Sequence, residues 1–239
     1  MGQGLDPGAA LARTATGYWD AAFHDGSQTL RNLGTGGSAL DATLGSSGSA
    51  DSNDPKWLPY AGTAYCYLPG VSGNYLSVPD AAALDITGDI DLRVKVAMDD
   101  WTPAAETALL AKWDQAGGGP GFSYGIRLNA AGTLSFMYSA GAGAIVRTST
   151  VATGFTDGAT KWVRATFDVD NGSTQNVVTF YTSDDGSTWT QLGAAVTNAG
   201  VASIQATSTN VTIGRYTGTP DYSAAGTFHK AQVYNGIAG

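Results

Sequence analysis

The sequence predicts an all-β protein built from two packed antiparallel sheets, and three observations carry that expectation. Good helix formers are scarce: five Lys, seven Arg and one Glu stand against 33 Gly and nineteen Asp in 239 residues. Gly, Asp, Thr and Asn favour turns or strands instead. Apolar residues recur with period two in short runs, and segments of turn chemistry separate the runs.

Taken in order, residues 1–15 are small, mixed and aperiodic, and read as a flexible arm. The structured part begins near Thr16–Trp19, and no linker interrupts it, so 16–239 is expected to be one sandwich domain. Gly34–Lys56 is a long polar loop, of the kind that is either functional or mobile. It leads into Trp57-Leu58-Pro59-Tyr60. Cys66, between Tyr65 and Tyr67, reads as a buried strand thiol. The clearest strand is Asp89–Met98, where Ile90, Leu92, Val94, Val96 and Met98 alternate with Asp91, Arg93, Lys95 and Ala97. Such alternation predicts one buried and one solvated face. Similar runs are Tyr75–Val78, Leu109–Trp113, Phe122–Leu128, Leu134–Tyr138, Ile145–Ser149, Trp162–Val169, Val177–Thr182, Val211–Arg215 and Phe228–Tyr234. The connections Asn129–Gly132, Asp170-Asn171-Gly172 and Asp184-Asp185-Gly186 suit hairpins. In Thr182-x-Asp184-x-Gly186-x-Thr188-Trp189, an Asp-box pattern, Asp184 is expected to cap the turn with Trp189 packed beneath it.

Composition excludes several functions. A net charge of −8 leaves no basic surface for nucleic acid. No run approaches the roughly 20 apolar residues of a membrane span. The N-terminus lacks the basic and apolar regions of a signal peptide, so synthesis in the cytoplasm is expected. A lone cysteine makes no internal disulfide, and Cys/His metal spacing and a Gly-x-Ser-x-Gly elbow are both absent. His24 and His229 are expected to be solvated or locally hydrogen-bonded. Glycoside hydrolysis needs two carboxyl groups flanking one bond, and Glu106 is the single glutamate. The remaining catalytic alternative is an all-Asp pair such as Asp168 and Asp170, against the plainer reading that both serve a turn. No cofactor is expected, with calcium held by Asp168, Asp170 and Asn171 as the alternative.

An ordered set of segments now carries a resemblance: Gly17-Tyr18-Trp19-Asp20, Gly73–Asp80, Leu84–Leu92, Leu110–Trp113, Asn129–Ser135, Asp157-Gly158 through Lys161–Asp168, and the closing Phe228–Asn235. Together they resemble laminin G-like domains of the concanavalin A-like lectin/glucanase superfamily. The resemblance implies a two-sheet antiparallel jelly-roll sandwich without the glucanase strand motif, and hence a non-enzymatic protein. The segments Asp85–Leu92, Asp168–Gly172 and Thr182–Trp189 are similar to domains of actinobacteriophage virion proteins. That likeness implies a surface-exposed tail or capsid component that contacts host glycans, with other virion proteins as partners through residues 1–15. Two alternatives stay open: a decoration protein without a ligand, and a carbohydrate-binding module of a larger bacterial enzyme.

Sugar recognition uses aromatic faces with a few placed polar groups. The candidates are Asp54, Trp57 and Tyr60 in the long loop, Tyr216, Asp221 and Tyr222 in the last loop, and Trp101, Trp113 and Asp114 at strand ends. For each tryptophan, core packing is the competing reading.

Overall fold

The computed structural model describes residues 14–60, 63–115, 121–218 and 221–239, with the side chains of 59, 60, 63 and 64 left outside that description. The strands are β1 (Gly17–Asp20), β2 (Thr29–Leu30), β3 (Ala42–Leu44), β4 (Lys56–Tyr60), β5 (Thr63–Pro69), β6 (Leu76–Val78), β7 (Ile90–Met98), β8 (Thr107–Trp113) and β9 (Phe122–Leu128). They continue as β10 (Leu134–Ser139), β11 (Ala144–Thr148), β12 (Thr160–Asp168), β13 (Gln175–Ser183), β14 (Thr190–Gln191), β15 (Val196–Ala199), β16 (Val211–Ile213) and β17 (Ala225–Asn235). Helix is confined, among the described residues, to three 3-10 turns of three residues each.

One sheet has the order β14-β13-β12-β7-β17-β5-β4, with β1 also on β17 and β15 also on β13. The other runs β11-β10-β9-β8-β16-β6-β3-β2. Strand pairs among the described residues are antiparallel, hairpin neighbours mixed with pairs distant in sequence: the chain crosses between sheets from β7 to β8 and returns from β11 to β12. This is the jelly-roll sandwich the sequence predicts.

The core lies between the sheets. Ile90, Leu92, Val94, Val96 and Met98 of β7 join Val163, Ala165 and Phe167 of β12 and Phe228, Ala231 and Val233 of β17. Opposite them stand Tyr124, Ile126, Leu128, Leu134, Phe136 and Tyr138. The Phe167 ring meets Phe136 and Tyr138 across the interface at 5.2 and 4.5 Å. Cys66 is fully buried in the same core, and burial pushes its thiol well above the ordinary range; a neutral thiol in such a place is an inert packing group.

The expected solvated face of β7 is a correction. Asp91 and Arg93 are buried as completely as the apolar residues that alternate with them. Strand register sets Arg93 opposite Arg164, and both guanidiniums hold the one Asp91 carboxylate, at 2.7 and 2.8 Å. Each also donates to the Ala238 carbonyl, and Trp189 lies 5.3 and 5.4 Å from the two guanidinium carbons. The segment after β17 and the turn that carries Trp189 therefore cover this face. Alternation in sequence records which side faces the main core; it is silent about what later segments lay over the other side.

Most of the expected arm, residues 1–13, lies outside the described residues. Ala15 is fully buried against Tyr18 and Tyr234.

Candidate functional site

The functional candidates come together on the outer side of the β8–β9–β16 sheet. Register lines up Thr212, Ala111, Gly125 and Met137 across four strands. A Cβ on Gly125 would sit 2.9 Å from the Ala111 methyl and 3.1 Å from the Met137 methyl, so the floor here is built from small groups. The chain after β16 folds back over that floor. Tyr216 seats against Ala108, Ala111 and Met137, and the Ala108 amide donates to the Tyr222 carbonyl at 3.0 Å. Gly218 leaves room for this fold, since a Cβ there would meet the Tyr222 ring at 2.7 Å.

Two ring stacks follow. Tyr216 and Tyr222 lie at 4.2 Å and 23°, Trp113 and Phe122 at 4.6 Å and 13°, and Trp113 meets Tyr216 edge-on at 6.4 Å. Tyr216 is anchored from behind: its hydroxyl accepts from Arg127 at 3.2 Å, and Arg127 pairs with Glu106 at 2.6 Å. Burial, more than any other influence, raises the Tyr216 phenol above its ordinary range, so it stays protonated. The single glutamate thus props an aromatic ring through Arg127.

Beside the stacks is a cavity of about 370 Å³ whose lining includes Tyr75, Trp113, Asp114, Asn210, Arg215 and Tyr216. Its cation has an internal counter-charge. Arg215 Nε donates to both Asp221 oxygens at 3.1 Å and its guanidinium lies 5.0 Å from the Tyr75 ring. Partial burial pushes the Asp221 carboxyl up, and hydrogen bonds from Arg215, Ser72 and Ser223 outweigh it, leaving its pKa below the usual value. Asp114 accepts from the Thr217 hydroxyl. The Asn210 amide bridges Ser77 at 3.1 Å and the Asp80 amide at 3.1 Å. Trp113 is 2% exposed, and its indole N–H is buried with no hydrogen-bond partner.

Asp114, Tyr216, Asp221 and Tyr222 are therefore brought together, although more than 100 residues separate Asp114 from the last loop. Trp113, Phe122, Tyr75, Arg215 and Asn210 join them. Arg215 and Asn210 were missed because a short strand, β16, and its flanks give little periodic signal. Tyr216 needs a correction: its ring is fully buried and supports Tyr222, which is the partly exposed member of the pair.

The other candidates lie elsewhere. Trp101 is fully buried, its indole N–H donating to the Ala159 carbonyl at 3.1 Å and its amide to Asp157 at 2.8 Å, so it is a post between loops and no platform. Trp57 is half-buried on edge strand β4 and stacks on His24 at 3.6 Å and 6°. His24 Nε2 donates to the Ser27 carbonyl at 2.7 Å while Nδ1 accepts from Gly26, which fixes a neutral tautomer and bears out a locally hydrogen-bonded histidine. Asp54 accepts from the Asp51 amide at 3.0 Å and closes a loop turn; the Tyr60 side chain lies outside the description.

The calcium candidates also serve a turn. Asp168 accepts from the Asp170 amide, Asp170 from Gly172 and Asn171 from Ser173, at 3.0–3.1 Å. Among the described residues no three His, Cys, Asp or Glu side chains cluster as a metal site. In the Asp-box turn the capping residue is Asp185, not Asp184. Asp185 accepts from the Ser187 and Thr188 amides at 2.7 Å, whereas Asp184 points to solvent and pairs with Lys161.

No protein-family model matches the sequence, and no curated protein matches it significantly. Solved structures do resemble the fold. The binding domain of botulinum neurotoxin serotype G aligns over 94% of this chain and 48% of its own, at a TM-score of 0.63 and 6% identity. The binding domain of Paraclostridial Mosquitocidal Protein 1 aligns over 96% and 50%, at 0.60 and 10% identity. The CBM40 domain of the Ruminococcus gnavus IT-sialidase, bound to α2,3-sialyllactose, aligns over 66% and 82%, at 0.50 and 14% identity. The chain spans about half the length of the two toxin domains. At these identities the likeness establishes the concanavalin A-like fold of the sandwich.

Proposed function

We propose that this chain is a non-enzymatic, lectin-like binding module whose ligand is an uncharged carbohydrate held in the cavity beside Trp113 and Tyr75. The observation that carries the reading is the cavity's chemistry. Its size falls in the range of roughly 300–1,000 Å³ typical of ligand sites. Aromatic rings line it together with hydroxyl and amide groups, and Arg215 is paired with Asp221. Sugar C–H faces pack on rings, and sugar hydroxyls exchange hydrogen bonds with neutral polar groups. An acidic ligand would have to compete with Asp221 for Arg215 and would face the Asp114 carboxylate. The R. gnavus domain, bound to a sugar on the same fold, supports carbohydrate as the ligand; its sialyllactose is acidic, and the neutral character proposed for this chain rests on the cavity alone.

The setting we propose is the surface of a bacteriophage particle, with the glycan on the host cell and residues 1–15 contacting neighbouring virion proteins. That setting rests on the sequence resemblance and on no structural neighbour. A glycan array probed with the purified protein, with and without calcium, tests the reading. Saturable binding to neutral glycans is expected, unchanged by calcium. Binding confined to acidic glycans, or none at all, would overturn it.

A further inference from the structure

The opposite face of the molecule, on the β7–β17 sheet, carries a second arrangement that the sugar cavity does not explain. Register pairs Thr227 with Ala97 and Phe228 with Val96, and then Lys230 with Lys95. His229 is the extra residue of a β-bulge, so His229 and Lys230 together oppose Lys95. Bulges re-aim side chains and concentrate beside functional sites. The same rung runs on to Trp162 on β12 and Asp20 on β1, and the His229 ring lies 5.8 Å from Tyr65.

The charge arrangement is costly as it stands. Like charges directly opposite across an antiparallel pair are destabilising. Lys230 is paired with Asp20 at 2.9 Å, but Asp20 is already committed, accepting from the Tyr18 hydroxyl at 2.9 Å and the Ala22 amide at 3.0 Å. Lys95 has no carboxylate within ion-pair distance among the described residues. Two lysines against one aspartate leave a local excess of positive charge in a protein of net charge −8 with only five lysines. Partial burial, then Lys230, lower the Lys95 pKa; burial, then Lys95, hold His229 down at about 4.

We propose that Lys95, His229 and Lys230 form an oxyanion-binding site that takes a phosphate, sulfate or carboxylate group. An oxyanion between the two ammonium groups removes their repulsion and supplies the counter-charge that Asp20 cannot. Tyr65 and Trp162 flank the site with apolar walls, and all three basic side chains are partly exposed, so a small anion reaches them from solvent. The site stands apart from the sugar cavity, and either can fail without the other.

The test is an NMR titration of the full chain at pH 7 with sodium phosphate, sodium sulfate and sodium acetate, each against sodium chloride at matched ionic strength. The His229 ring resonances are expected to shift saturably with at least one oxyanion, and the tightest of the three identifies the group. The His229 titration midpoint should rise by on the order of one pH unit when that anion is present. Lys95→Gln should weaken binding about tenfold, while Lys56→Gln on edge strand β4 should leave it unchanged. Shifts that follow ionic strength equally with chloride, or a Lys95→Gln protein that binds as tightly as the wild type, would overturn the proposal.

Discussion

Tyr75 is the partly exposed ring that lines the cavity, and the effects of its removal are separable from folding. Trp113 and Tyr216 lie beneath the surface, so truncating them opens a hole as well as removing a contact, whereas Tyr75→Ala removes a ring that is only partly buried. A stacking contact worth about 1 kcal/mol predicts a fall in sugar affinity of about fivefold, measurable by isothermal titration calorimetry. His229 makes a different prediction, about acid. Its pKa is about 4 in the folded protein against an ordinary 6.5, so between those values the unfolded chain binds a proton that the native state does not. Stability therefore rises with pH across that window and is lost as pH falls from 6.5 toward 4. His229→Gln should flatten that part of a urea-denaturation profile; an unchanged slope would place the acid sensitivity elsewhere. Residue types were legible in part. Asp221 and Tyr222 stand out in the sequence as an acidic-aromatic pair, but the role of Tyr216 depends on Arg127 and Glu106, far away in the chain.

At the level of elements, the strands with long alternating runs were readable, and of the shortest ones only β6 and β16, which sit inside apolar runs, were. β7, β9 and β12 fall within two residues of their expected limits, because buried alternation over seven to nine residues leaves a period that nothing else mimics. β2, β3, β14 and β15 have two to four residues each, too few for any period. Their formation is decided by the neighbours they pair with. The Asp-box turn shows the same limit: its glycine was readable, and which aspartate caps it was not. Gly186 has φ 80°, and an added Cβ would meet the Trp162 indole at 2.6 Å. Gly186→Ala should cost about 1–3 kcal/mol in thermal or chemical unfolding. The covered face of β7 predicts more. Asp91→Ala strands two buried guanidiniums and should cost about 3–5 kcal/mol. Replacing Asp91, Arg93 and Arg164 together with apolar residues should cost less than that single change. Equal or additive losses would contradict a shared carboxylate.

For the whole molecule, the sandwich gives its two outer faces different work. One carries the aromatic cavity and neutral hydrogen-bonding groups; the other carries a covered arginine pair and, further along, the exposed Lys95–His229–Lys230 cluster. Sheet sandwiches were predictable from turn spacing and alternation, since a chain with few helix formers and a full set of strand residues has few other ways to bury its apolar surface. Which loops would meet was not predictable, because jelly-roll crossovers set Asp114 beside Thr217 through pairings that sequence proximity does not reveal. The most direct measurement takes the tightest neutral glycan from the array and compares its affinity for the wild type, Tyr75→Ala and Trp57→Ala. The cavity account predicts a loss with Tyr75→Ala and wild-type affinity with Trp57→Ala. The reverse pattern would move the site to the long loop and contradict it.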